Sequence, residues 1–145
     1  MIGLADVRDW LRGLGAIDAT WSIGRYESER EQLACVYQRP DYSGATVALG
    51  GSDATKTLVK HVSVLVHWDR NHRSTEEAAQ ALYDALRFNP RATIGGATAS
   101  YVNLMLPEPV DVGSDTNGIF ERTIWLDIYY EEDCDGSRER RLPLL

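Results

Sequence analysis

Cysteine is scarce in this sequence, with only Cys35 and Cys134 among 145 residues. The first stands in an apolar run and the second among acids, so a structural disulfide has little support and free thiols are expected. No apolar run approaches the roughly 20 residues that cross a bilayer. The start, Met1-Ile2-Gly3-Leu4-Ala5-Asp6, lacks the basic-then-apolar order of a secretion signal. The expectation is a chain that folds and acts in the cytosol. Positive charge is also short, with 15 Lys and Arg against 22 Asp and Glu and a net charge of -7. Affinity for DNA comes largely from basic residues that displace counterions, so a DNA-holding surface is not expected. An acidic surface that faces DNA without holding it is compatible with this charge.

The signatures of catalysis are missing too. There is no Gly-x-Ser-x-Gly elbow, and neither cysteine has the local surroundings of an activated thiolate. Gly50-Gly51 and Gly95-Gly96 lack the order that cradles phosphates and read as turns. His61 and His67 lie six positions apart in one strand, about 20 Å, too far to share an ion. His67 and His72 could meet across a turn, but no further ligand accompanies them, so all three histidines read as ordinary surface or interface groups. Glu131, Glu132, Asp133 and Asp135 form the densest acidic cluster, answered by Arg138, Arg140 and Arg141, and read as a solvated segment. No catalytic, cofactor-binding or metal residue is assigned, and no cofactor is expected.

Hydrophobic periodicity then supplies the elements. Leu4, Val7, Leu11 and Leu14 fall at helical spacing, with Gly13 and Gly15 as the stop. Residues 21–26 and 32–39 read as strands separated by the charged turn 27–31, with Pro40 closing the second, and 45–49 as a further short strand. Over 59–68, Val62, Val64, Val66 and Trp68 share a core face, while His61, Ser63, Leu65 and His67 make a mixed face for solvent or a neighbouring subunit. Ser74-Thr75-Glu76-Glu77 is a capping box that should start a helix carrying Ala78, Ala81, Leu82, Ala85 and Leu86, ended by Asn89-Pro90. Residues 97–106 and 119–131 read as long strands paired antiparallel, joined by a long connection holding the Asn117-Gly118 turn. The sum is an α+β chain: one domain over 1–131 with an antiparallel or mixed β-sheet and two main α-helices, then a charged C-terminal tail over 132–145.

This order of elements resembles the phage minor capsid proteins that serve as tail terminators of long-tailed phages. The likeness spans roughly residues 4 to 131. It is carried by Lys60-His61-Val62-Ser63-Val64-Leu65-Val66-His67-Trp68, the helix from Thr75 to Leu86, and the closing strand from Gly118 to Tyr130. The resemblance implies a sheet with both helices packed on one face. It also implies a structural virion protein of the neck, assembled in the host cytoplasm as a homo-oligomeric, hexameric ring. Such a ring caps the tail tube protein, stops its polymerisation and meets the head-tail connector protein. Six subunits of charge -7 would total -42, and acids facing the bore would let DNA pass without sticking. The family has no catalytic residues to carry over.

Three surfaces are candidate joints. Trp125 and Tyr129 fall on the polar face of the last strand, where a large aromatic among polar neighbours suits a protein contact or packing under the first helix or the tail. The connection from Pro107 to Gly118, with Pro109, Asp115 and Asn117, is long enough to reach a neighbouring ring. The tail, with Arg138, Leu142, Leu144 and Leu145, has no counterpart in the family pattern and would gain burial only in an assembly. The competing readings are another neck component, such as a head-completion protein, and an unrelated cytosolic α/β enzyme or binding domain.

Overall fold

The computed structural model describes residues 1–40, 57–89 and 91–131. The short strand expected at 45–49, Cys134 and the tail over 132–145 lie outside the described residues. Along the chain run α1 (Leu4–Gly13), β1 (Thr20–Ile23), β2 (Leu33–Gln38), β3 (Thr57–His67), α2 (His72–Arg87), β4 (Ala92–Ile94), β5 (Ala97–Leu104), β6 (Val110–Ser114) and β7 (Phe120–Glu131). The two helices and one mixed seven-stranded sheet make an α+β fold.

The sheet order is β1-β2-β3-β7-β5-β4, with β6 also on β7. Its centre is the antiparallel pair β3 and β7, in register from Thr57 opposite Glu131 to His67 opposite Glu121. The alternation read from the sequence places Val62, Val64 and Val66 on one face, all at 0% exposure. Ile124 and Leu126 lie on the same face, since they stand opposite Val64 and Val62. Val7 and Leu11 of α1 and Ala79, Leu82 and Leu86 of α2 join these residues in one core cluster, so both helices cover the same side. Each of the valines, leucines and isoleucine among them contributes about 1.5–3 kcal/mol by leaving water. Cys35 is a buried free thiol on the other side.

Four details differ from the sequence expectations. The helix expected from a capping box at Ser74 starts earlier. Asn71 has extended backbone, and its side chain accepts from the Ser74 N–H at 3.1 Å, so the helical turn begins at His72. Ser74 then lies inside α2 and donates its hydroxyl to Asp69 at 2.8 Å, while Glu77 pairs with Arg73.

The connection 107–118 is not a free loop. Its central part forms β6, laid against the first part of β7 with a bulge between Asp111 and Gly113. β5 stops at Leu104 and pairs only with the second part of β7, which would leave the first part with open backbone groups if β6 did not take them. β4 escaped notice because a three-residue strand is too short to show periodicity. Finally, β1 and β2 are parallel, so the charged segment between them is a crossover and not a hairpin turn. Gln32, at φ 58, ends that crossover and donates its N–H to the Trp68 carbonyl at 2.7 Å.

Candidate functional site

Both helices pack on one face of the sheet, which leaves the composition of the opposite face to be explained. The β3–β7 register sets His61 opposite Asp127, Ser63 opposite Trp125, Leu65 opposite Thr123 and His67 opposite Glu121. The two histidines are six positions apart and so are the two acids. An antiparallel pair in this register therefore brings both couples together at once.

Of the three histidines read as surface or interface groups, His72 is exposed, whereas His61 and His67 are buried within the chain. His61 is 6% and His67 1% exposed, and Asp127 and Glu121 are buried with them. His61 Nδ1 lies 2.6 Å from Asp127 Oδ1, and Arg39 pairs with the same carboxylate. Arg39 also donates to the Leu126 carbonyl at 3.2 Å and lies 3.1 Å from His61 Nδ1. At the other end of the strand pair, His67 Nδ1 lies 3.0 Å from Glu121, and Tyr26 donates its hydroxyl to Glu121 at 2.6 Å. Burial first, and then the Glu121 carboxylate, hold the Tyr26 phenol far above its ordinary pKa, so it stays a donor. Burial also raises the Tyr37 phenol, with the Cys35 thiol as the next cause. Charged groups accumulate here because each can be paired across the strands, which polar groups removed from water require.

Trp125 lies between these two networks and stays 41% exposed. The α1 helix is on the far side of the sheet, so it does not cover this ring. The Arg39 guanidinium sits 5.8 Å from the indole centroid. Met105, 41% exposed, donates its backbone N–H to the Trp125 carbonyl at 2.9 Å. One step along, Tyr129 is half-buried and its ring lies 6.3 Å from that of Tyr101, which is 52% exposed. Large, stiff aromatic surface over a braced polar floor is suited to contact with another protein. Tyr101 and Met105 were missed from sequence because their exposure depends on the partner strand and on which face the helices choose.

The other candidate residues have different fates. Pro107 is exposed, whereas Pro109 is buried, with its carbonyl accepting from Arg122 at 3.5 Å. Asp115 and Asn117 are engaged within the chain. The Asp115 carboxylate accepts from the N–H groups of Asn117 and Ile119, at 2.9 and 3.0 Å, and the Asn117 amide donates to the Ser28 carbonyl. The turn is thereby tied to the β1–β2 crossover. Arg138, Leu142, Leu144 and Leu145 lie outside the described residues.

A second feature lies on the helix side. Glu76 and Glu77 of α2 face Glu108, Asp111 and Arg122 across an open groove of about 640 Å³. Tyr83 donates its hydroxyl to the Leu106 carbonyl at 2.8 Å and holds the far wall in place. Arg122 bonds Glu76 at 3.1 Å, and His72 Nε2 lies 3.1 Å from the Asp111 carboxylate. The hydrogen bond from His72, followed by the Gly113 N–H and the charge of Arg122, lowers the Asp111 pKa. A depressed carboxylate contributes stability that is present above its unfolded pKa and is lost as pH falls through the lower folded value. The Asp111 carboxyl resonance should therefore titrate below the ordinary aspartate range in an NMR pH series. In His72→Ala its midpoint should rise, and an unchanged midpoint would rule out the His72 bond as its cause.

Among the described residues no group of three or more His, Cys, Asp or Glu is placed to hold a metal ion, and no helix is long and apolar enough to cross a membrane. A family model described as "Bacteriophage tail terminator protein" matches residues 10–132. No curated protein matches the chain.

Proposed function

Because the chain belongs to the bacteriophage tail terminator family, a structural family of the phage tail, we propose that it closes as a hexameric ring on the end of the finished tail tube. There it stops polymerisation of the tube protein and offers its other side to the head-tail connector. It acts as a joint and not as an enzyme, and it assembles in the host cytoplasm before entering the virion.

The observation that carries this reading is the exposed patch of Trp125, Tyr101 and Met105 on the sheet face opposite the helices. A monomer gains nothing by holding three large apolar side chains in water over a floor of buried ion pairs, whereas a subunit interface removes them from water. We assign this patch, with Tyr129, to contact between subunits. Pro107, on the exposed wall of the groove, and the tail with Arg138, Leu142, Leu144 and Leu145 are further proposed contacts, whereas Asp115, Asn117 and Pro109 shape the turn and the wall that present them. The net charge of -7 supports a bore that DNA traverses without being held.

Tail assembly in the absence of this protein tests the reading. Electron microscopy should show tails of irregular length with unfinished ends, and adding the purified protein should restore uniform ones. Tails of normal length and normal ends made without it would overturn the proposal. Normal tails that fail to join heads would instead assign the chain to another component of the neck.

A further inference from the structure

The groove beside α2 is lined unevenly. Among the described residues, four carboxylates, those of Glu76, Glu77, Glu108 and Asp111, face a single guanidinium, and that one is already bonded to Glu76. The other wall, over 106–110, is formed by a leucine, two prolines and a valine and a glutamate. A groove that is acidic on one side and largely apolar on the other takes a peptide that is basic and apolar in turn. The sequence carries such a segment in Arg138-Glu139-Arg140-Arg141-Leu142-Pro143-Leu144-Leu145.

Reach favours a neighbour's segment. Arg122, at the groove, stands nine positions before Glu131, at the end of β7, which is about 30 Å along a strand. From Glu131, seven residues lead to Arg138, at most about 25 Å when pulled straight. Arg138 therefore reaches its own groove only with chain and side chain both drawn out straight, which leaves no slack to lay the segment along it. A neighbouring copy has no such constraint.

The geometry points to a second copy of this chain as the occupant: its segment 138–145 lies in the groove between α2 and 106–111, arginines toward the carboxylates and leucines against the apolar wall. This inference rests on the ring reading, because a segment handed from each subunit to the next is a head-to-tail contact that repeats at every joint of a closed ring.

Mixing two full-length variants tests it, one carrying Glu108→Cys and the other Leu142→Cys, both with Cys134→Ser. Oxidation should give a two-chain adduct in the mixture well above the level in either variant alone. Adding Glu77→Lys to the first, or Arg140→Glu with Arg141→Glu to the second, should lower adduct formation about ten-fold, and combining the two charge reversals should restore it. As a second measurement, a fluorescent peptide of residues 136–145 titrated into the full-length protein should bind saturably, and Glu77→Lys with Glu108→Lys should weaken that binding about ten-fold. Absence of the mixed adduct, absence of peptide binding, or a double-cysteine chain that closes on itself as a monomer would each overturn the inference. Imaging of the same samples separates the two claims: rings without the adduct reject this seat alone, and adducts without rings on tail tubes reject the ring alone.

Discussion

Asp127→Ala should destabilise the fold by about 3–5 kcal/mol, because removing one partner of a buried ion pair leaves the other charge uncompensated. Asp127 is 4% exposed and faces both Arg39 and His61 on the central strand pair. The loss is large against the ~5–15 kcal/mol that holds a domain of this kind together. Thermal unfolding followed by circular dichroism should show a fall on the order of 10 °C. Replacing the three partners together, as Arg39→Leu with His61→Leu and Asp127→Leu, should recover much of the loss, since a buried polar cluster exchanged for apolar side chains is often neutral or better. A fall below about 1 kcal/mol for the single variant would mean that water reaches the pair and that it behaves as a surface contact.

Trp125→Ala should leave the monomer folded and cripple assembly. The ring is 41% exposed, and the contact it makes with the Arg39 guanidinium within the chain is worth about 0.5–1 kcal/mol at such a site. An aromatic anchor at the centre of an interface contributes about 2 kcal/mol or more at each joint, roughly a thirty-fold change in that contact. Mass photometry and micrographs of the variant with tail tubes should show free monomers and uncapped tubes, while its unfolding midpoint stays near that of the parent. Normal rings and normal tails would remove this face from the interface. A matching loss of stability would make Trp125 a packing residue.

The contrast between these two residues, two positions apart on β7, shows how far reading the chain could go. Alternation alone puts Trp125, and with it Asp127 two positions later, on one face of the strand, and the register of β3 and β7 keeps them there. Alternation reports which residues share a face but not how deeply each is buried. Depth depended on Arg39, just after β2, and His61 of β3 arriving beside Asp127, and on both helices choosing the opposite side. The equal six-residue spacing of His61 with His67 and of Glu121 with Asp127 was in the sequence, yet it had meaning only once the register of β3 and β7 was known.

The local elements and their class were written in the order of residues: α1, α2, β3 and β7 follow from apolar residues repeating every three to four positions or every second one. The same order also carried the family resemblance that the matched residues bear out. Where polar groups go was settled by contacts between distant parts of the fold. Backbone edges left open by β5 drew the connection after it into β6, and Asn71 took the cap expected of Ser74. Two acid–histidine couples were buried where a mixed face for solvent or a neighbouring subunit was expected, because each polar group met its partner across the strands. These outcomes depend on long-range pairing, in which a polar group is costly or harmless according to a neighbour tens of residues away, and no local pattern records that neighbour.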